Sequence, residues 1–330
     1  MPASTVKRVT AADVARSLGL SRATVGFVLN DTPGQTIPEA TRKRVLAEAK
    51  RLGYRANAAA RALASGRSRI VLLVLPDWPM DYSMRTHLDE ASLALDEAGY
   101  SLVTTTPHPG GQAQPLWETL RPDVVMGMTP FDAERLAEIR ASGVEHVIPP
   151  VPAGDPRAVG DLGFADGPRL QVEHLLSRGR THLAFAASPD ERLGDLVAQR
   201  RELGARTLTE LTGTGFVAEA AIDEWNVADR LAAWIEAGID GVVAYNDDVA
   251  ALVLGAALRS GVRVPGDLAI VGHDDSPLAR LLVPALSSVR IDTAGIGRYL
   301  AALALSAATG SEPPLAGPET DARLVARETT

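Results

Sequence analysis

The residues best placed to do chemistry lie in "DVARSLGLSRATVGFVLN", Asp13–Asn30. Ala15, Gly19 and Val25 stand at relative positions 1, 5 and 11. That spacing suits two short helices: a small residue where they touch, glycine for the turn, and an aliphatic that locks the second helix. In such a unit the start of the second helix enters a major groove, and here it carries Ser21, Arg22, Ala23 and Thr24. A plain helical hairpin can share the spacing, so charge has to decide. Residues 1–69 hold 13 Lys/Arg against 4 Asp/Glu, a net +9, whereas residues 70–330 hold 20 against 37, a net −17. A basic head on an acidic body implies that the head alone meets a polyanion.

Other chemistries find few residues. The chain has no cysteine, which excludes disulfides, thiolate catalysis and cysteine-based metal sites and fits a reducing compartment. Its six histidines (87, 108, 146, 174, 182 and 273) lack metal-ligand spacing. No phosphate loop of the Walker type appears, and "GIGRYL" follows an Asp-Thr-Ala turn rather than a strand, a poor dinucleotide fingerprint. No serine sits in a nucleophile elbow. The expectation is a protein that binds rather than reacts, with no cofactor and no metal.

The elements that must position these residues read clearly in the head. Thr10 with Asp13 resembles a capping box, Val14 and Leu18 share a face, and Gly19 ends the first helix. Ser21 can cap the second helix, in which Val25, Val28 and Leu29 point inward. "NDTPGQT" is turn-rich; a third helix starts near Pro38, with Val45, Leu46, Ala49 and Leu52 as its apolar stripe and Gly53 as its stop. "NAAARALASGRS" (57–68) is an alanine-rich segment too short to be a stable helix alone. It is expected to form only when something packs on it.

From Ile70 the texture changes. "IVLLVLP" is an aliphatic run suited to a strand buried on both faces. "SLVTTT", "DVVMGM", "HVIPP", "HLAFAA", "GVVAY" and "LAIVGHDD" follow as strands, interleaved with helical stretches such as "SMRTHLDEASLALDEAG", "GPRLQVEHLLSRG" and "DDVAALVLGAALRSG". Alternation of this kind means parallel α/β sheets, and about 260 residues of it suits two lobes. With 46% apolar and only 4% aromatic residues, the cores must be mostly aliphatic. The N-terminus has no apolar run of signal-peptide length and no stretch approaches 18 uninterrupted apolar residues, so a cytoplasmic protein without membrane partners is expected.

"VTAADVARSLGLSRATVGFVLN…TRKRVLAEAKRLGYRANAAARALASGRSRIV" resembles the N-terminus of the lactose-repressor/galactose-repressor family of bacterial regulators over about 60 consecutive residues. Fainter likeness continues in "HLLSRGRTHLAF", in "VVAYNDDVAALVLGAALRSGVRVPGDLAIVGHDD" and in "PALSSVRID". The resemblance implies a helix-turn-helix head (1–56), a hinge helix (57–68) and a body (69–330) of two Rossmann-like lobes of the periplasmic-binding-protein type. The N-lobe would take about 69–160 and 292–321, the C-lobe about 161–291 and 322–330. Carried over position by position, Ser21, Arg22, Ala23 and Thr24 face the groove, and Thr10, Asn30 and Thr41 touch phosphates or base edges. Tyr54 and Asn57 enter the hinge. Ala60 and Leu63 face the minor groove, Leu63 as a wedge between central base pairs that kinks the duplex.

The resemblance thus implies a homodimeric repressor that reads near-palindromic double-stranded operator DNA under control of a small, sugar-like effector. The close at "ARLVARETT", with no leucine repeat, favours a dimer over a tetramer. A ligand-binding protein or sugar-active enzyme on the same body is the competing class, and the basic head, which neither needs, discriminates against it.

Three departures from the family pattern bear on specificity. Gly26 stands for the usual serine and Phe27 for an often polar residue, frequently arginine. Arginine can bond guanine bidentately, whereas Phe27 can only stack or touch a thymine methyl. The loop "NDTPGQTIPEA" is also longer by about two residues than in some relatives. In the body, an effector cleft is expected at the carboxyl ends of the strands. Its candidate contacts are Asp77, Asp81, Tyr82, Trp225, Asn246, and Asp274 or Asp275, one of which can equally cap a helix. Trp225 can equally be surface or core packing. Gln199 falls where the family usually has an arginine; Arg200 and Arg201 stand beside it, and Arg200 is taken as the candidate contact. "PDWPMDYSM" after the first strand, and Gly163-Phe164 where "DN" is usual, point away from a common sugar.

Overall fold

Among the described residues the head has three helices: α1 (Ala11–Leu18), α2 (Arg22–Leu29) and α3 (Glu39–Arg51). The computed structural model describes residues 9–30, 32, 34–54, 67–108, 110–149, 166–314 and 322–330. Thr10 and Asp13 cap α1 reciprocally, the Thr10 amide donating to Asp13 Oδ2 at 2.9 Å and the Asp13 amide to Thr10 Oγ1 at 3.3 Å. Gly19 then turns the chain with φ 66°, a left-handed conformation that glycine adopts without penalty. Ser21 Oγ accepts from the Thr24 amide at 3.0 Å and starts α2.

Val14, Ala15, Val25, Val28, Val45 and Ala49 bury together as the head's core. Leu46, expected on the stripe of α3, is instead 48% exposed. The stripe runs through Val45, Ala49 and Leu52, and one residue's step carries Leu46 about 100° round the helix from it.

The first sheet of the body has the order β2-β1-β3-β4, all parallel: β1 (Ile70–Val74), β2 (Ser101–Thr105), β3 (Val124–Gly127) and β4 (His146–Ile148). Helices α4 (Tyr82–Glu97), α5 (Leu116–Leu120) and α6 (Ala133–Ala141) link its strands. β1 lies inside the sheet with Val71, Leu72 and Leu73 almost fully buried, as its unbroken aliphatic run requires.

The second sheet contains β5 (Leu183–Ala187), β6 (Ala218–Ala221), β7 (Gly241–Ala244), β8 (Ala269–His273), β9 (Ser287–Arg290) and β10 (Arg323–Val325) in the order β10-β9-β8-β7-β5-β6. α7 (Asp166–Ser177), α8 (Gly194–Thr212), α9 (Val227–Glu236), α10 (Asp247–Arg259) and α11 (Pro277–Leu281) belong to this lobe. The sheets are not wholly parallel: β10 runs antiparallel to β9, pairing Leu324 with Val289. It arrives after an excursion into the other lobe rather than through a strand–helix crossover, so nothing forces it parallel.

That excursion is α12 (Thr293–Thr309), N-capped by Asp292. Its Ile296, Leu300, Ala301 and Ala304 share a core with Val71, Leu73 and Val124 of the first lobe. "GIGRYL" is therefore the opening of this helix. A Cβ on Gly297 would come within 2.4 Å of the His87 carbonyl oxygen, so the glycine there lets α12 press against α4. Each lobe thus donates chain to the other, and the cleft between them stands at the carboxyl ends of both sheets.

Candidate DNA-reading face and interlobe cleft

The start of α2 is the exposed end of the head. Ser21, Arg22 and Ala23 are exposed and Thr24 is half-buried. Ser21 and Thr24 share a hydrogen bond between their hydroxyls at 2.8 Å, in addition to the cap. Arg22 makes no ion pair with any described residue, and α2 has no acidic residue in its first turn. A helix N-terminus with a free guanidinium favours negative charge in front of it.

Phe27 is half-buried one turn further on. At Gly26 an added Cβ would meet nothing within 4 Å, so no packing within the head demands the glycine. Asn30 ends α2 and is exposed; Thr10 is exposed, its hydroxyl donating to Asp13 Oδ2 at 2.7 Å. Thr41 is half-buried, its amide bonded to the Pro38 carbonyl. Tyr54 packs on the head's core. Asn57, Ala60 and Leu63 lie outside the described residues, as do 57–66 of the expected hinge and Gly163-Phe164.

Between the lobes, an inner cavity encloses about 680 Å³ of empty space, counting its open mouth. Asp81, Arg200 and Asp274 line it, together with Trp78, Met84 and Tyr245. Asp81 caps α4, its Oδ1 accepting from the Met84 amide at 2.8 Å. Burial raises its pKa, helped by the neighbouring charges of Asp274 and Asp248.

Arg200, on α8, lies over the Tyr245 ring at 4.5 Å from its centroid. One guanidinium nitrogen donates to the Tyr245 carbonyl at 2.5 Å, and another stands 3.7 Å from Asp274. Asp274 is also 2.7 Å from His273 Nδ1. Burial alone would raise the Asp274 carboxyl, but His273 and Arg200 outweigh it and hold the pKa low. Full burial keeps His273 neutral, so its Nδ1–H is the donor to the carboxylate. The polar centre of the cleft is thus largely committed to itself.

A wider mouth of about 970 Å³ opens beside Asp81 and is lined by Asp190, Glu224, Trp225, Asn246 and Asp248, among others. Trp225 is 84% exposed there, which decides between the surface and core readings in favour of the surface. Asn246 caps α10, accepting from the Val249 amide at 3.0 Å.

The adjacent aspartates part company. Both have left-handed backbones (φ 95° and 45°), and neither caps a helix. Asp274 faces the cleft, whereas Asp275 is enclosed by Arg290 (2.6 Å) and Arg327 (2.5 Å) with no exposed side-chain surface. A carboxylate with both oxygens taken inside the C-lobe fastens β9 to the C-terminal segment and does not reach a ligand. Asp77 and Tyr82 line neither cavity. Asp77 stands at the entrance 3.7 Å from Arg192, and Tyr82 is 42% exposed on the first turn of α4. Sequence reasoning missed Trp78, Ser83, Met84, His87 and Tyr245, which carry no polar motif and are found only once α4 is folded over the strand ends.

Such an architecture defines the class of two-part regulators that join a helix-turn-helix head to a binding-protein-like body. Residues 10–57 match the model of bacterial regulatory proteins of the lacI family, and residues 172–330 match a periplasmic binding protein-like domain. The HTH-type transcriptional regulator GntR of Pseudomonas aeruginosa is 30% identical over 346 residues, covering 99% of this chain and 97% of the relative. The ribose operon repressor of Bacillus subtilis is 30% identical over 311 residues, 90% of each chain. A crystal structure of a Lac repressor dimer bound to operator and an anti-inducer shares the fold, with a TM-score of 0.76 at 22% identity over 98% of this chain and 99% of that one. The chain belongs to the LacI family of bacterial transcriptional regulators; it is a regulator and not an enzyme. No helix among the described residues is long and apolar enough to cross a membrane.

Proposed function

We propose that the chain is a cytoplasmic, homodimeric repressor whose paired heads read a near-palindromic operator and whose cleft binds a small effector. The observation that carries it is the exposed, uncompensated start of α2 on a head of net +9, joined to a body of net −17 that holds an interlobe cavity. Ser21, Arg22, Ala23, Thr24 and Phe27 face the groove in this reading, with Thr10, Asn30, Thr41 and Tyr54 toward the backbone. Asn57 and Ala60 follow in the hinge, and Leu63 wedges the centre.

Arg22 is the long cation at the exposed start of α2, and Phe27 favours a thymine methyl over a guanine. The operator therefore differs from those read by relatives with arginine at that place. Leu281 and Val283, 76% and 84% exposed on the C-lobe, are apolar surface that a second copy would cover. The body divides into an N-lobe of about 69–160 with 292–321 and a C-lobe of about 161–291 with 322–330. Asp81, Arg200, Trp225, Asn246 and Asp274 surround the effector, whose binding rotates the lobes and changes the hinge's population of its DNA-bound form.

Fluorescence anisotropy with genomic fragments, run across salt concentrations, tests this reading. Sequence-preferring binding that weakens steeply with salt is expected. Binding without sequence preference, or none at all, would refute it.

A further inference from the structure

The inner cavity is an unusual vessel for a sugar. Its walls are Trp78, Met84 and Ile296 from one side and Leu193, Leu196 and Tyr245 from the other. A polyol needs a partner for each hydroxyl it buries, or it loses the bonds it made to water. Here Arg200 is spent on the Tyr245 carbonyl and Asp274, and Asp274 is spent on His273 and Arg200. Burial pushes the His87 ring down to about 4, so it stands neutral at the cavity wall.

What remains uncommitted is specific. Ser83 Oγ is buried on the cavity wall with no hydrogen-bond partner, in a residue only 9% exposed. One Asp81 oxygen caps α4, and the other has no hydrogen bond among the described residues. Asp248 and Glu224, at the mouth beside the exposed Trp225, form no ion pair with a described residue. Arg200 is the one guanidinium on the inner cavity wall and is already opposed by Asp274. The cleft therefore combines an apolar floor, the buried and unpartnered Ser83 hydroxyl, and an excess of carboxylate next to an open indole face.

We infer that the effector is a small amphiphile: an apolar ring or chain that fills the floor between the lobes, carrying a protonated amine directed at Asp81 and the acidic mouth. This deepens the reading of the cleft as the effector site and rests on it. The ammonium would bond Asp81 and could lean on the Trp225 face, as cations do on indole. Ser83 would take one further polar atom of the ligand, and the apolar body would displace water that the floor cannot bond.

The test is isothermal titration of the full chain with 2-phenylethylamine, 2-phenylethanol, 3-phenylpropionate and ribose at pH 7. The amine is expected to bind at least tenfold tighter than the isosteric alcohol, with the carboxylate and the sugar weaker still. Asp81→Asn keeps a capping oxygen and should reduce the amine-to-alcohol ratio to within threefold. If that variant folds poorly, the exposed pair Asp248→Asn and Glu224→Gln carries the same comparison. Equal binding of amine and alcohol, tighter binding of ribose, or no binding of the amine each overturns the inference. Anisotropy with operator DNA on the same preparations separates the two ideas. Intact DNA binding with the wrong ligand preference rejects only the amine, whereas lost DNA binding rejects the regulator.

Discussion

Replacing Gly26 by alanine probes whether α2 is held as described. The helix has eight residues, Arg22–Leu29, and Gly26 sits in its interior with ordinary helical backbone. The added methyl would meet no atom within 4 Å, so the substitution carries no packing penalty inside the head. Alanine is favoured over glycine in a helix interior by about 0.8–1 kcal/mol, mostly because the unfolded chain loses less freedom. Since 1.4 kcal/mol is about a factor of ten, local opening of α2 should become roughly fivefold rarer. Amide hydrogen exchange on the DNA-free chain reads this directly, at the Val25 and Asn30 amides that bond the Ser21 and Gly26 carbonyls. Unchanged or faster exchange at those amides would refute the placement of Gly26 in an open helical position.

Three further substitutions test the body. Asp247, bonded by Ser288 Oγ and the Ser276 amide at 2.6 Å each, has its pKa pushed up by burial to about 7. Its unfolded value is near 3.8, so between the two the folded state keeps a proton the unfolded state has lost. Stability from this group is therefore present below pH 4 and falls by roughly 4 kcal/mol as pH rises to 7. His87, lowered by burial from 6.5 to about 4, acts in the opposite sense, costing roughly 3 kcal/mol as pH falls through that window. Urea unfolding of Asp247→Asn should then show a smaller loss, or a larger gain, of stability between pH 4 and 7 than the unsubstituted chain, and an unchanged pH dependence would contradict the assignment. Gly297→Ala should destabilise the fold by about 1–3 kcal/mol through overpacking of α12 on α4, measured as a lower urea midpoint. Asp275→Ala, which leaves the largely buried Arg327 and the 40% exposed Arg290 facing no carboxylate, should cost about 1–3 kcal/mol in thermal unfolding. A loss below 1 kcal/mol would mean the pairs are not enclosed.

The head was legible because its signals are local. A capping box, a turn glycine and a second cap three to four residues from their partners are decided by the residues themselves, and all three appear where the spacing places them. The long aliphatic strands of the body were legible for the same reason. β6 was not, because "AEAA" is made of helix formers and becomes a strand only by pairing with β5 along the sheet edge. The opening of α12 carries only a turn and a weak glycine motif as local signals; its role, packing across from the C-lobe to the N-lobe, depends on contacts with α4 some 200 residues away in the chain, such as Arg298 with Glu90. In the cleft, polar residues at strand ends could be nominated, but their commitments could not. Asp274 and Asp275 are adjacent and chemically identical, and only the positions of Arg290, Arg327 and Arg200 send one into the C-lobe and leave the other on the cavity wall. The apolar floor was invisible because Trp78, Met84 and Tyr245 are indistinguishable in sequence from ordinary core residues.

The central claim, that this head on this body reads a specific duplex, is tested most directly by selecting sites from a random double-stranded library with the full chain. The enriched site is then titrated between about 50 and 200 mM salt. A near-palindromic site bound at least about 10³-fold tighter than unrelated duplex is expected, with log affinity falling linearly in log salt. Enrichment of no sequence, with affinity flat across the salt series, would contradict it.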